Sequence, residues 1–577
     1  MRTQNTSKEV KKLKRKGMDK KNIFIVVSLI GIFVFAYILR YIPFMQYDIR
    51  LLTNWADDWW FLGMARYFAE RNTIPDIEPT YGNGIPSDYP PGFMLFFAVM
   101  TQITGVELVY LGRFVAVGLG ALTTIFVYVL AKKLTNDYRI GLLAAVFAAT
   151  TIRYLSRSAA FCSELMGHLL IPIILLFLYK GIKEKKDRNL FISGILLAGL
   201  ILVHHLSSAV MIVTLVFFSF LLLVFKRREG FTEIKKVLFV LAIGLIISFP
   251  FWIILAEGGI FDIVVKEAYA REGLLDIDAF FKNIGIPQFI LGMLGIAYAA
   301  YKRKTEHILL IAWVIPCILG LADRDIANFL FKDNLFKSNP DLIYVFSPSL
   351  NTRYYDFLGQ PISILAAFFF FSATGLLYYF KKLKPLYIHA ITLILLIFVL
   401  TLMPLPFNSD LFYGGSGYGW LKWAMVSFIS PEEYEAAVWM HDNLSNDVNI
   451  LSDYESNEMI LGVTAKTVAN GGTLRASLPV GTIYTDQLTI YFTPDLNEAL
   501  TLIDKYNVTH IFLSERMEEK GWFCVERNAR FDYEYGDTME NADLSKFDTS
   551  DCFKKIYDQN KVKIYEVDYN CEAMIKL

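Results

Sequence analysis

Eleven apolar stretches dominate this 577-residue chain and leave it few folds to choose from. The first runs from Asn22 to Met45, and the others fall near 109–133, 139–155, 164–181, 189–206, 208–225, 236–257, 284–301, 306–322, 358–380 and 386–405. A run of roughly 20 apolar residues spans a bilayer as a helix, because only a helix satisfies its own backbone polar groups in hydrocarbon. Composition agrees: 55% of residues are apolar and 19% are charged, where soluble domains carry about 25% charge. The reading is a polytopic α-helical membrane protein of about eleven spans, thirteen at most. The stretch Pro90 to Thr104 is short and led by prolines. It reads as an interfacial helix, with a true span as the alternative.

The basic residues then set the orientation. Residues 1–22 hold nine Lys/Arg against two acids, and the apolar run that follows lacks a small-residue cleavage site. It is read as an uncleaved first span. With eleven spans, Lys132-Lys133, Lys183 to Arg188, Lys226 to Arg228, Lys302 to Lys304 and Lys381 to Lys384 all share the side of the N-terminus. That is the positive-inside pattern. An odd count puts the C-terminal part outside. Residues 401–577 carry 28 acidic and 14 basic side chains, net −14, in a chain that is neutral overall. Here "VNILSDYE", "THIFLSE" and "VKIYEVD" read as strands, with amphipathic helices between them. The expected organisation is a basic cytoplasmic tail (1–22), a multi-span membrane domain (23–405) whose first outer loop is 46–108, and an extracytoplasmic α/β domain (406–577). The cell membrane is the expected location, and no nucleic-acid partner is expected. Five cysteines make neither a disulfide scaffold nor a zinc motif. Of the three in the outer part, Cys524 and Cys552 are the favoured bridge, with three free thiols as the equal alternative.

Charged residues at the mouths of spans gather on the outer side. Asp57 and Asp58 stand in "NWADDWWFLGMARYFAE", Arg157 and Glu164 in "LSRSAAFCSELMGH", Glu267 in "FDIVVKEAYAREG", and Arg353 in "SPSLNTRYYDFLGQP". Several carboxylates with waters and phosphate oxygens suit Mg²⁺ or Mn²⁺, and an arginine nearby suits phosphate. Each has a plainer reading. Asp near a helix start complements the helix dipole, and an end-of-helix arginine can snorkel. His204-His205 lie at the outer end of a span, where polar residues face a cavity or the bundle interior. Trp55, Trp59, Trp60 and Tyr89 would stack on sugars or form an interfacial belt.

The order of these pieces carries a resemblance. "DDWWFLGMARYFAE", "YPPGFM", "LGALTTIFVYVLAKKL", "GLLAAVFAATTIRYLSRSAA", a loop acid and "RYYDFLGQPISILAA" resemble the catalytic subunit of oligosaccharyltransferases, which are GT-C membrane glycosyltransferases. The resemblance covers residues 50–405 and implies a helical membrane domain followed by an outer globular domain. It implies metal ligands at Asp57, nine residues before Arg66, at Glu164 after Ser156 to Ser158, and at Glu267. Asp58 is the alternate to Asp57, and Met166 stands where a further acid is expected. Asp57 or Asp58 and Arg353 are the implied catalytic groups. Arg353 is the implied contact to the lipid-linked phosphate; Arg157, Tyr89, His204 and His205 are further substrate-contact candidates, read from the residues themselves.

One departure bears on the acceptor. The family's Trp-Trp-Asp-Tyr-Gly motif, which reads the hydroxyl residue of the Asn-x-Ser/Thr sequon, corresponds to Ser452-Asp453-Tyr454-Glu455. Asp453 and Tyr454 keep the substrate-binding positions, while the tryptophans and the glycine are gone. The resulting expectation is transfer of a sugar or oligosaccharide from an isoprenoid (dolichyl-type) phosphate carrier to a glycan, lipid or protein acceptor on the outer face. Protein N-glycosylation is the alternative within the class. A polytopic transporter, with intramembrane charges as a relay, is the alternative outside it.

Overall fold

The computed structural model describes residues 20–46, 48, 50–52, 56–80, 82, 85–86, 89–257, 277–321, 353–379, 384–403, 429–469, 480–520 and 544–575. Each of the eleven stretches read as a span carries a helix: Lys20–Tyr41, Val117–Thr135, Tyr138–Thr150, Ser163–Glu184, Asp187–Ile201, His205–Lys226, Phe231–Glu257, Ile286–Lys302, Thr305–Leu321, Tyr354–Gly375 and Pro385–Thr401. Among the described residues, five stretches are long and apolar enough to cross a membrane, and one of them, His205–Ile253, is two helices joined by a short turn. The chain is therefore a polytopic helical membrane protein. Boundaries follow local chemistry. Asn136 takes the left-handed conformation that ends one helix, and the Asp137 side chain accepts from the Arg139 amide to begin the next.

The bundle has two chemically distinct ends. At one, Lys133 pairs with Glu184 at 2.7 Å, Lys183 with Glu306 at 3.4 Å, and Lys226 with Glu233 at 3.0 Å. Four of the basic clusters thus meet at one end, as their shared sidedness requires. The Ser163–Glu184 helix runs from there to the acid Glu164 at its other end. Its 22 residues cover about 33 Å at roughly 1.5 Å each, close to the thickness of bilayer hydrocarbon.

Beyond the acidic end, the loop segment within residues 46–108 and the C-terminal part share one apolar core. The loop contributes the Ala56–Arg71 helix, a two-stranded ribbon of β1 (Ile77–Glu78) and β2 (Ile85–Pro86), and the Gly92–Thr104 helix. That last helix buries Phe93, Met94 and Phe97 while Val99 and Ile103 stay exposed, the profile of an interfacial element. The C-terminal part is a mixed five-stranded sheet in the order β4-β3-β5-β7-β6: β3 (Asn449–Leu451), β4 (Thr467–Val468), β5 (His510–Ser514), β6 (Phe553–Gln559) and β7 (Val562–Val567). β3 pairs in parallel with β4 and β5, and β7 runs antiparallel to β5 and β6.

The Tyr454–Thr464 helix joins this sheet to the loop. Gly63 and Gly462 permit the approach: a Cβ on Gly63 would lie 2.6 Å from Leu461 Cγ, and one on Gly462 2.8 Å from Trp59. Trp59 and Trp60 are 2% and 1% exposed, and Trp60 Nε1 donates to Glu78 at 2.7 Å. These indoles fill the joint, which corrects their reading as a sugar platform or an interfacial belt. The expected bridge is corrected too: Cys552 is joined to Cys571. Cys571 follows β7 closely enough to meet Cys552, which directly precedes β6. Cys524 lies outside the described residues.

Candidate functional site

Three helices begin at the acidic end, each with a carboxylate in its first turn: Asp57 and Asp58 on Ala56–Arg71, Glu164 on Ser163–Glu184, and Asp356 on Tyr354–Gly375. Acids suit helix N-termini, but isolated carboxylates at this depth need cations, and three arginines supply them. Arg157 ends the short Ile152–Arg157 helix. Its Nη1 lies 3.9 Å from Asp57 Oδ2, and its Nε lies 3.9 Å from Glu164 Oε2. Arg353 Nη2 approaches the same Asp57 Oδ2 at 4.0 Å. Arg153 Nε faces Asp356 Oδ1 at 3.4 Å. The Arg157 side chain is only 7% exposed. Burial alone would lower its pKa, but the neighbouring carboxylates Glu164 and Asp57 raise it. An arginine stays cationic in any case. Burial pushes the Cys162 thiol up to about 12, so it offers no thiolate nucleophile.

Among neighbouring acids, the structure separates the two candidates. The Asp57 side chain is 28% exposed and faces both Arg157 and Arg353, whereas Asp58 is fully buried. Successive helical residues point about 100° apart, so one of the pair faces the open site and the other faces the core. Asp58 is accordingly not the exposed carboxylate of the site. Among the described residues, Glu164 Oε1 is buried without a hydrogen-bond partner, and His168, one turn on, places Nε2 3.9 Å from it. Both Asp356 carboxylate oxygens likewise lack hydrogen bonds among the described residues.

Tyr89 closes one side. Its hydroxyl shares a 2.7 Å hydrogen bond with Ser163 Oγ, and its ring stands edge-on to His205 at 5.4 Å. His204 is 1% exposed and caps its helix, with Nδ1 accepting from the Ser207 amide at 3.2 Å. Its donor-contact reading is therefore replaced by a structural one at that nitrogen. Glu267 lies outside the described residues, as does the side chain of Tyr454.

Asp453 is also corrected. It is fully buried; Oδ1 accepts from the Ser456 amide at 2.8 Å and Oδ2 from Arg516 at 2.8 Å. Arg516 Nε also reaches both oxygens of Glu433, at 2.9 and 3.0 Å. Both Asp453 oxygens hold the fold, so neither reads an acceptor. Its neighbour Glu455 is 3% exposed. Burial and then the charge of Asp453 push its carboxyl well above the usual carboxylate range; Arg516 opposes this, while Asp57 and Asp58 add to it.

Sequence reading did not single out Arg153, His168, Glu455 or Arg516. Two carried a usable signal, since Arg153 precedes Arg157 and His168 follows Glu164 by one helical turn. Among the described residues, the group of acid, histidine or cysteine ligand atoms gathered tightly enough for a metal is Asp551, Cys552 and Cys571. Its two cysteines are joined as the disulfide, so it is no metal site.

Residues 88–254 match the model of the dolichyl-phosphate-mannose-protein mannosyltransferase family. The fold resembles the Archaeoglobus fulgidus oligosaccharyltransferase AglB, solved with an inhibitory peptide and a dolichol-phosphate. The TM-score is 0.55 at 13% identity, over 86% of this chain and 70% of that one. It equally resembles ArnT from Cupriavidus metallidurans, with a TM-score of 0.55 at 13% identity over 95% of this chain and 98% of that one. ArnT bound to undecaprenyl phosphate gives 0.53 at 12% identity, with the same coverage. No curated protein sequence matches the chain. The chain thus resembles membrane glycosyltransferases in fold and, over residues 88–254, in sequence, and the resemblance drawn from its sequence is borne out to that extent.

Proposed function

We propose that the chain transfers a sugar or oligosaccharide from an isoprenoid phosphate carrier to an acceptor on the outer face of the membrane. One observation carries this reading: Arg157 and Arg353 converge on the exposed carboxylate of Asp57 at one end of the bundle. Two fixed guanidinium groups suit the charge that develops on a leaving phosphate, and a carboxylate between them suits the acceptor's proton. The carriers held by AglB and ArnT, dolichol-phosphate and undecaprenyl phosphate, support the donor class. In the step itself the acceptor oxygen bonds to the sugar's anomeric carbon and the carbon–oxygen bond to phosphate breaks. The electron pair leaves on the phosphate, and the acceptor's proton passes to Asp57.

A divalent ion, Mg²⁺ or Mn²⁺, fits the donor set in part. Glu164 Oε1 is buried without a hydrogen bond, and the Arg157 ion pairs are too long to hydrogen-bond, so Asp57 and Glu164 retain free oxygens. These two residues would hold the ion, with Glu267 as the expected third ligand. When bound, it supplies positive charge toward the leaving phosphate.

The proposed organisation is a tail at 1–22, a membrane domain at 23–405 and an outer domain at 406–577, with the basic end of the bundle cytoplasmic. Single cysteines added at Arg303 and Asp558 test this in intact cells. A membrane-impermeant maleimide is expected to label position 558 and to spare position 303; the reverse pattern would overturn the orientation.

Protein N-glycosylation is the weaker reading, because Asp453 is bound to Arg516 and the sequon-reading tryptophans are absent. A transport relay is weaker still. The charged groups described above sit at the two ends of the bundle, as Glu164 and Lys183 do on one helix. The deciding experiment is mass spectrometry of lipid-linked glycans and surface glycoconjugates in a deletion strain. The expected result is an unextended acceptor together with accumulated donor, both reversed by the wild-type chain. An unchanged profile would refute the proposal. Purified protein forming a glycopeptide from a lipid-linked glycan and a sequon peptide, lost on Ser→Ala in the peptide, would promote the weaker reading.

A further inference from the structure

The helices Ala56–Arg71 and Tyr454–Thr464 lie side by side and point the same way. Gly63 meets Leu461, Arg66 donates to the Gly462 carbonyl at 3.0 Å, and Arg71 donates to the Ala465 carbonyl at 3.2 Å. Position thus advances together along both. Gly63 is six residues after Asp57, and Leu461 is six residues after Glu455. Both acids stand in the first turn of these paired helices, which puts Glu455 at the same end as Asp57. Glu455 is 3% exposed. Arg516, the nearby cation, is committed to Glu433 and Asp453.

The direction of approach gives this placement a meaning. Arg157 and Arg353 reach Asp57 from the membrane helices, while Glu455 comes from the C-terminal part. A displacement at the anomeric carbon brings the acceptor in opposite the leaving phosphate. The side of Asp57 away from the arginines is therefore the acceptor's side.

We propose that Glu455 is the acceptor-positioning residue of this site: its carboxyl group hydrogen-bonds an acceptor hydroxyl and holds it against Asp57. This rests on the glycosyltransferase reading above. A carboxyl group donates and accepts at once, as a hydroxyl does, so the pair is matched in both directions. The hydroxyl oxygen attacks the anomeric carbon and its proton passes to Asp57, as above. Glu455 gains and loses nothing in the step; it sets distance and angle.

The test compares Glu455→Ala, Glu455→Gln and Asp57→Asn in the full-length purified protein. Transfer is measured into a dilution series of membranes from the deletion strain, which supply donor and acceptor. Dolichyl phosphate binding and melting temperature are measured alongside. Glu455→Ala is expected to cut transfer by about tenfold or more at low membrane concentration, with less loss at high concentration. Its dolichyl phosphate affinity should stay within about twofold and its melting temperature should not move. Glu455→Gln keeps both hydrogen-bonding atoms and is expected to stay within about threefold of wild type. Unchanged transfer by Glu455→Ala, or a loss tracking lower dolichyl phosphate affinity or melting temperature, would overturn the proposal. Should the wild-type chain itself transfer nothing in this assay, the glycosyltransferase reading fails; should Asp57→Asn transfer normally, Asp57 is not the base.

Discussion

Asp57→Asn is expected to reduce sugar transfer roughly 10³-fold, within the range general-base catalysis supplies. The replacement is isosteric, so the Ala56–Arg71 helix keeps its start and its packing. What disappears is the carboxylate that faces Arg157 at 3.9 Å and Arg353 at 4.0 Å. An amide cannot take the acceptor's proton. It also leaves both guanidinium groups without that counter-charge, so binding of dolichyl phosphate, titrated without divalent ion, is expected to hold or tighten. Loss of turnover with retained carrier binding is the signature of a group that acts on the reacting atoms. Single-turnover transfer together with carrier titration measures both quantities. Activity within tenfold of wild type would exclude Asp57 as the base. Asp58→Asn should not reproduce the catalytic defect, because that side chain is fully buried.

Arg516→Ala is expected to destabilise the C-terminal part by about 3–5 kcal/mol, the cost of stranding buried charges. Glu433 and Asp453 are both fully buried, and Arg516 is the cation on each. Ser456 and Ser514 also hydrogen-bond Glu433, at 3.2 and 2.7 Å, but a hydroxyl cannot neutralise a carboxylate. A fall of roughly 10 °C in melting temperature follows for a unit of this size. The triple variant Arg516→Met, Glu433→Gln, Asp453→Asn separates charge from shape. Asn still caps the Tyr454–Thr464 helix, and Gln still completes the capping box at Ser430. With no charge left to strand, most of the lost stability should return. A single variant as stable as wild type, measured by thermal unfolding, would show that the pair is not the keystone of this sheet.

Much of the architecture was legible from the residues because membrane physics is one-dimensional. Apolar run length marks where a helix can cross, and lysines mark the side, so a helix occupies each predicted stretch. The helix at Gly92–Thr104 lies where a short apolar run led by prolines reads as a helix. The alternation in "VNILSDYE" and "VKIYEVD" foretold β3 and β7. The disulfide was not legible: Cys571 pairs with Cys552 because two antiparallel strands return the chain to itself, and a list of cysteines carries no such distance.

The candidate site divides in the same way. The sequence by itself determined that Glu164 and Arg353 stand at the mouths of membrane helices, since position along a span sets depth, and that Asp57 stands in the loop expected on the same side. Only the tertiary structure decided between Asp57 and Asp58, because the choice depends on which side of a helix meets the core. The structure alone moved Asp453 from substrate to scaffold, since its partner Arg516 lies 63 residues away. It alone brought Glu455 to the same end as Asp57, through two glycines that let distant helices touch. Depth and sidedness are local properties of a chain in a membrane; pairing of buried charge is a property of space, and appears only when the chain is folded.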